Sequence, residues 1–478
     1  MNNTKIIATI GPATCTADKL RELYSAGMSI ARLNGSHNTL EWHKEIIGLI
    51  HKTLPNTPIL LDIPGRKIRT TQLLFEPMFE VGDIIILTTD ISYDGKEKVP
   101  VNYNQFHIDL EPGQTILADD GTLKFTIVKI INEDIFIRAE TPGCLKSRKG
   151  INVPHVKLNT ELITERDREM IRFSQENKID YIGLSFVESK FHVDSIREII
   201  SPYSYPRIIS KIENQGGLDN MNEIIEVSDG IMIDRGDLSV ETELYSIAIK
   251  QKEIINCARK FAKPVIVATE LLHTMIENSF PTKAEVSDIS NAVLDGCASV
   301  MLSGETAIGK NPVAAVSLMN NVITQSENYS RKLKQDNFTR ISLSAIPLAT
   351  ADAIEGICKE ISVSKIIAIT RSGFAAQTLS TRNLEQPIIA VSDDEYAAKS
   401  FNLFPGVEGI YYANSFPNDN LNHVIEIIKY LRDKSKVEDS DLILVTAVGY
   451  PNSGSKMNLI QTHLVSDLVK ILNWDKKN

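Results

Sequence analysis

Short runs of aliphatic and β-branched residues recur along the chain, separated by stretches whose apolar positions fall three and four apart. That is the pattern of strands alternating with amphipathic helices. The strand candidates are "KIIATIG" (5–11), "SIARLNGS" (29–36), "PILLDIPG" (58–65), "YIGLSFV" (181–187), "RIISKIEN" (207–214), "GIMIDRGDL" (230–238), "KPVIVATE" (263–270) and "ASVMLSGET" (298–306). Helical stretches such as "ADKLRELYSAG", "ERDREMIRFSQEN" and "AIKQKEIINCARKFA" lie between most of them. Eight strands alternating with helices predict a (β/α)8 barrel. A doubly wound open sheet is the alternative that periodicity leaves open.

The third and fourth runs stand more than a hundred residues apart. The gap holds "EVGDIIILTTD", "GQTILADDGTLKFTIVKI" and "DIFIRAETPG", strand patterns punctuated by Gly, Pro and Asp, and predicts an inserted all-β domain. After the eighth run, "NPVAAVSLMNNVITQSENYSRKLKQD" predicts a helix running into a polar connector, and "KIIAIT", "PIIAVS" and "LILVTAVG" a further α/β domain. The expected division is barrel over 1–69 and 159–335, β-rich lid over 70–158, and C-terminal α/β domain over 336–478.

Polar residues gather at the C-terminal ends of the eight runs: Arg32, Asn34, Ser36, Asp62, Ser185, Lys211, Glu213, Asp237, Thr269, Ser303 and Glu305. In a parallel barrel those ends open on one face, where active sites lie. Within "RIISKIENQGG", Lys211 and Glu213 are two apart and share a side of the strand. A salt-bridged strand end is the plain account; a cation beside a metal-binding carboxylate is the chemical one.

Composition narrows the function classes. The chain has 478 residues, 42% apolar and 23% charged, which predicts two to four folded domains. A net charge of −10 speaks against a nucleic-acid binder. The five cysteines, Cys15, Cys144, Cys257, Cys297 and Cys358, are scattered with no CxxC pair, which suits a reducing compartment better than a disulfide framework. No apolar run approaches a membrane span of ~20 residues, so no membrane association and a cytoplasmic setting are expected.

The motifs "TKIIATIGPAT", "ISKIENQGGLDN", "GIMIDRGDL", "KPVIVATELLHTM", "PTKAEVSDISNAVLDG" and "MLSGETAIGKNP" resemble, in order, those of the pyruvate kinases. The resemblance runs nearly the full length. It implies a (β/α)8 barrel with a small β domain after the third strand and a C-terminal α/β domain. The implied activity is transfer of the phosphoryl group of phosphoenolpyruvate to ADP, giving pyruvate and ATP, with Mg2+ or Mn2+. A homotetramer is implied as well.

The resemblance also assigns roles. Lys211 and Arg32 would stabilise and bind the phosphoryl group, a task suited to a point charge and a guanidinium fork. Glu213 and Asp237 would hold the divalent cation. Gly236 and Asp237, through their amides, and Thr269 would hold the substrate carboxylate. Thr269 and Ser303 would belong to the relay that protonates enolpyruvate, although local backbone capping explains both as well. Asn34, His37, Arg69 and Lys149 match nucleotide-side positions, and Asp119-Asp120-Gly121 matches a lid motif that is also a good turn.

Departures from the family pattern are informative. Asn34, Ser36 and Asp62 match potassium-ligand positions, but Lys67 stands where potassium-dependent members carry an acid. A tethered ammonium can replace the charge of a bound ion, so no potassium requirement is expected. Gly35 replaces an aromatic residue, Ile63-Pro64 a Thr-Lys pair, Asp234 a small residue, Ser239 a glycine and Glu270 a glutamine. In the C-terminal domain Thr370, Ser372 and Gly373 resemble a loop that binds a sugar-phosphate effector, with Ala375 where a serine often helps; helix capping explains the loop equally well. A specialised paralogue, and another metal-dependent barrel acting on a pyruvate enolate (aldolase or phosphoenolpyruvate mutase type), are the competing functions.

Overall fold

The computed structural model describes residues 2–119, 121–154, 156, 162–201, 205–330, 345–382, 384–417, 420–448 and 457–475. The boundaries expected at 158–159 and 335–336 fall outside them, as does Asp120 of the lid motif.

Eight parallel strands close into a barrel in sequence order: Lys5–Thr9, Met28–Asn34, Ile59–Ile63, Tyr181–Leu184, Arg207–Ile212, Gly230–Asp234, Val265–Ala268 and Ser299–Leu302. Closure comes from pairing of the first strand with the eighth, Lys5 opposite Ser299, which removes the open-sheet alternative. The strands are short and almost wholly buried because helices cover the outside and side chains fill the inside. Alternation divides the two: Ile6, Ala31, Leu61, Ile182, Ile208, Ile231, Val267 and Val300 pack outward with the helices. Their neighbours Ile7, Ile30, Leu60, Tyr181, Ile209, Met232, Ile266 and Met301 form a separate inner cluster.

Two residues further along each inner row, the filling turns polar on most strands: Thr9, Arg32, Asp62, Lys211, Asp234 and Ser303. The barrel is therefore an apolar plug below and a polar layer above. Its lower end is stoppered by Leu403 of the C-terminal domain, which joins the inner cluster, while the Tyr181 hydroxyl donates to the Ser400 carbonyl.

The segment after the third barrel strand forms a six-stranded sheet around Leu87, Phe106, Phe125 and Ile137, with a two-stranded sheet beside it. It is not purely β: Phe106–Asp109 makes one helical turn that buries Phe106. The C-terminal sheet has five strands, two more than the sequence pattern predicts. The additions, Val407–Tyr411 and Leu459–Leu464, are the two edges, where Glu408, Gly409, Gln461 and His463 interrupt the apolar run because one side faces less core. The sixth barrel strand also ends sooner than expected. It stops at Asp234, and "RGDL" opens the helix Arg235–Glu241. Among the described residues no helix is long and apolar enough to cross a membrane.

Candidate active site

The upper layer is built around Lys211, which is 5% exposed. Its Nζ lies 2.9 Å from Glu213 Oε2 and 3.1 Å from Asp234 Oδ2, and it donates to Ser185 Oγ at 3.3 Å. Asp62 is 4.0 Å away. The sharing of one side by Lys211 and Glu213, expected from strand alternation, is thus realised as a direct ion pair. Burial alone would lower the Lys211 pKa, but the carboxylates of Glu213, Asp234, Asp62 and Asp237 outweigh it and hold the ammonium firmly charged. Glu213 is fully buried and its pKa is raised, chiefly by burial. For Asp234 burial works in the same sense, yet the Lys211 ammonium prevails and its pKa is lowered. Glu213 is fixed from the other side by the backbone N–H of Phe186, which donates to Oε1 at 2.7 Å from a residue with φ of 53°.

Arg32 faces the same layer from the second strand. Its Nη2 and Nε donate to Asp62 Oδ2 at 2.6 and 3.2 Å, and Nη1 to Thr9 Oγ1 at 3.3 Å. Arg32 and Asp62 thus form a salt bridge within the barrel mouth, which fixes the guanidinium plane beside Lys211. Asp62 is pressed from the fourth strand by Gly183, where an added Cβ would stand 2.2 Å from Asp62 Oδ1. Gly35 has a similar reason: a Cβ there would meet the Asp62 carbonyl oxygen at 2.4 Å, so the aromatic residue of the family pattern has no room.

The ends of the sixth, seventh and eighth strands supply the remaining groups. Thr269 has φ of 67°, a strained value for a β-branched residue, and its Oγ1 accepts the Gly236 N–H at 2.9 Å. Arg235, buried, donates from Nη2 to the Thr269 carbonyl and from Nη1 to Asp288 Oδ1, each at 2.8 Å, and so pins this turn. Ser303 is held through its backbone N–H by Glu305 Oε2 at 2.7 Å, while Oε1 of that residue accepts Leu272 N–H at 3.2 Å. Carboxylate oxygens of Glu213, Asp234 and Asp237 all lie within 4.8 Å of one another. Such a set of hard oxygen donors suits a Mg2+- or Mn2+-type cation.

Lys67 pairs with Asp237, and its ammonium sits 5.9 Å from the Phe186 ring centroid. Its charge is thus seated beside Asp237 at the mouth. Asn34 Oδ1 accepts Ser36 N–H at 3.1 Å in a tight local turn, with Ser36 exposed. His37 is exposed too; partial desolvation and then the guanidiniums of Arg69, Arg32 and Arg148 lower its pKa. Arg69 donates to the Arg148 carbonyl at 3.2 Å, joining the barrel's third loop to the lid. Lys149 pairs with Asp119 at 2.6 Å within the lid. The lid itself rests on the mouth through Asn152, which donates to Glu241 at 2.7 Å. Glu270 is exposed, with φ of 56°. Far away in the C-terminal domain, Thr370 Oγ1 takes the Gly373 N–H at 3.1 Å, and Arg207 Nη2 donates to the Ser372 carbonyl at 2.9 Å.

Lys211, Glu213, Arg32, Asp62, Asp237, Lys67, Gly236 and Thr269 are thus brought to one mouth. Ser185 and Asp234 belong there as contacts of Lys211, although sequence reasoning gave them no role. For Asp234 the signal was available: it stands two residues after the inward-facing Met232.

The first 316 residues match the family model described as pyruvate kinase, barrel domain, and residues 349–463 match the pyruvate kinase alpha/beta domain. The chain is 36% identical to a pyruvate kinase of Bacillus licheniformis, over 98% of this chain and 81% of that one. It is 37% identical, with the same coverage, to a pyruvate kinase of Staphylococcus haemolyticus. A crystal structure of a pyruvate kinase from Cryptosporidium parvum superposes with a TM-score of 0.84 at 31% identity, covering 97% of this chain and 96% of the other.

Proposed function

The chain belongs to the pyruvate kinase family, and from that membership we infer how its own residues carry out the family's reaction. It is a phosphotransferase acting between phosphoenolpyruvate and ADP. The observation that carries the residue assignment is the buried Lys211 ammonium set between Glu213 and Asp234 at the barrel mouth.

Phosphoryl transfer asks a protein mainly for in-line positioning and positive charge. Lys211 stabilises charge on the migrating group and on the enolate oxygen it leaves. Arg32, already oriented by Asp62, binds the phosphate. The Gly236 and Asp237 amides and Thr269 hold the substrate carboxylate. Glu213 and Asp237 are the residues that would hold Mg2+ or Mn2+, which when bound neutralises phosphoryl oxygens. Asn34, His37, Arg69 and Lys149 line the nucleotide side, and the lid over the mouth excludes water. Thr269 and Ser303 pass a proton to the enol carbon. Lys67 supplies a fixed positive charge, so potassium is not required; Asn34, Ser36 and Asp62 keep the remainder of that region.

The finer architecture is inferred likewise: barrel over 1–69 and 159–335, lid over 70–158, C-terminal domain over 336–478, a homotetramer and a cytoplasmic setting. A sugar-phosphate effector at Thr370, Ser372 and Gly373 is inferred from the resemblance of that loop, in which Thr370 Oγ1 accepts the Gly373 N–H.

The test is pyruvate formation from phosphoenolpyruvate and ADP with magnesium, in sodium and then with added potassium. Activity in both salts is expected, with Lys211→Ala reducing kcat by about 10²- to 10³-fold, the range for a lost electrostatic stabiliser. Turnover in the Lys211→Ala protein close to wild type would remove Lys211 from the centre of the reaction.

A further inference from the structure

Asp234 has two carboxylate oxygens with different neighbours. Oδ2 lies 3.1 Å from Lys211 Nζ on the fifth strand. Oδ1 accepts from Thr269 Oγ1, just past the end of the seventh, at 3.3 Å. The register makes this bridge: Lys211 lies opposite Met232 and Asp234 opposite Ala268, so the sixth-strand carboxylate stands between its two partners. It is 7% exposed, and in a dry site such contacts resist displacement by water. The single Thr269 hydroxyl proton is shared between Asp234 Oδ1 and the nearer Ala268 carbonyl at 2.6 Å, while Oγ1 itself accepts the Gly236 N–H. Asp234 is the charged member of that arrangement. It ties the ammonium that faces the departing phosphoryl group to the hydroxyl that faces the proton-transfer step.

We propose that Asp234 is a positioning residue that holds Lys211 and Thr269 in fixed relation and so couples phosphoryl transfer to protonation of the enolate. The inference rests on the function proposed above. In the first step the bond between phosphorus and the enol oxygen breaks, its electron pair staying on that oxygen, as an ADP oxygen forms the new bond to phosphorus. In the second, the enolate oxygen's pair reforms the carbonyl while carbon 3 takes one proton, drawn from water through hydroxyls that include Thr269. Lys211 serves the first step and the oxygen in the second; Thr269 serves the second. Anchoring both on one carboxylate keeps the enolate from forming where no proton donor is aligned.

The test compares Asp234→Ala and Asp234→Asn with wild type in three measurements. They are kcat and KM for phosphoenolpyruvate, deuterium exchange from solvent into the pyruvate methyl group, and equilibrium Mn2+ binding without substrate. Asp234→Ala is expected to lower kcat at least 30-fold with KM changed less than threefold, a loss confined to the transition state, and to slow exchange at least tenfold. Asp234→Asn keeps an acceptor for Thr269 and is expected to recover exchange to within about threefold of wild type while phosphoryl transfer stays slow.

A rise in KM with unchanged kcat, or equal losses for the two variants in both reactions, would overturn the proposal. Loss of Mn2+ affinity matching the loss of kcat would overturn it as well, making Asp234 a metal ligand. Should the alanine protein not fold, the asparagine protein carries the same comparison. A wild type silent in both reactions would overturn the pyruvate kinase reading, and the coupling with it.

Discussion

At the scale of single residues, the mouth is a lattice of opposite charges in which each cation already has a seat: Arg32 on Asp62, Lys211 on Glu213 and Asp234, Lys67 on Asp237. Long basic side chains at a barrel mouth would otherwise sample many rotamers; ion pairs in a partly dry site fix them before substrate arrives. Lys67 is the residue whose effect on conditions is most direct. In Lys67→Glu a carboxylate would face Asp237 in place of an ammonium, and like charges at that range repel. We expect activity in sodium to fall at least tenfold and to be restored by added potassium. Rates measured against potassium concentration at constant ionic strength test this. A variant that stays slow and indifferent to potassium would remove Lys67 as the internal cation.

At the scale of elements, the site follows from the alternation of strands. The barrel was legible because its strands are buried on both faces and read as continuous apolar runs between amphipathic helices. The polar layer was legible for the same reason: Arg32, Asp62 and Lys211 each stand two residues beyond an inward apolar neighbour, Ile30, Leu60 and Ile209. What escaped notice lies where local pattern gives out. Nothing in "RGDL" marks the switch from strand to helix at Arg235, because a short helix in a loop lacks a periodic face. The edge strands of the C-terminal sheet carry polar residues that break the run. Ser185 and Asp234 stand in the right register, but only the closed barrel shows that Lys211 meets them. The register also predicts a sensitive glycine. Gly183 leaves room for the Asp62 carboxylate, and a methyl group there would stand 2.2 Å from Oδ1. Gly183→Ala should cost about 1–3 kcal/mol of stability, the usual range for overpacking. Moving Asp62 also turns Arg32, so kcat/KM for phosphoenolpyruvate should fall at least tenfold. Circular dichroism melts beside steady-state rates separate the two effects, and a folded variant with unchanged kcat/KM would show that Asp62 does not orient Arg32.

At the scale of the whole molecule, the barrel is closed at both ends by other parts of the chain: the lid rests on the mouth through Asn152 and Glu241, and Leu403 stoppers the base. Beside that stopper lies a buried charge. Asp180 is fully buried, with Oδ2 accepting Ile59 N–H at 2.8 Å and Lys399 of the C-terminal domain 3.4 Å away. Among the described residues its other oxygen has no hydrogen-bond partner. Burial raises its pKa to about 6, with Lys399 opposing. In the unfolded chain the group titrates near ~3.9. Between about pH 4 and 6 the folded state therefore holds more protons than the unfolded one, so this group's contribution to stability falls as pH rises through that window. Two pH units at about 1.4 kcal/mol each make the full cost on the order of 3 kcal/mol, reached above pH 6. Asp180→Asn removes the ionisation and keeps an acceptor for Ile59. The difference in apparent Tm between variant and wild type should therefore grow in the variant's favour from pH 4 to 6 and then level off. Other carboxylates titrate in both proteins and cancel in that difference. A difference independent of pH would mean that Lys399 keeps Asp180 ionised throughout, making the contact a working ion pair between barrel and C-terminal domain.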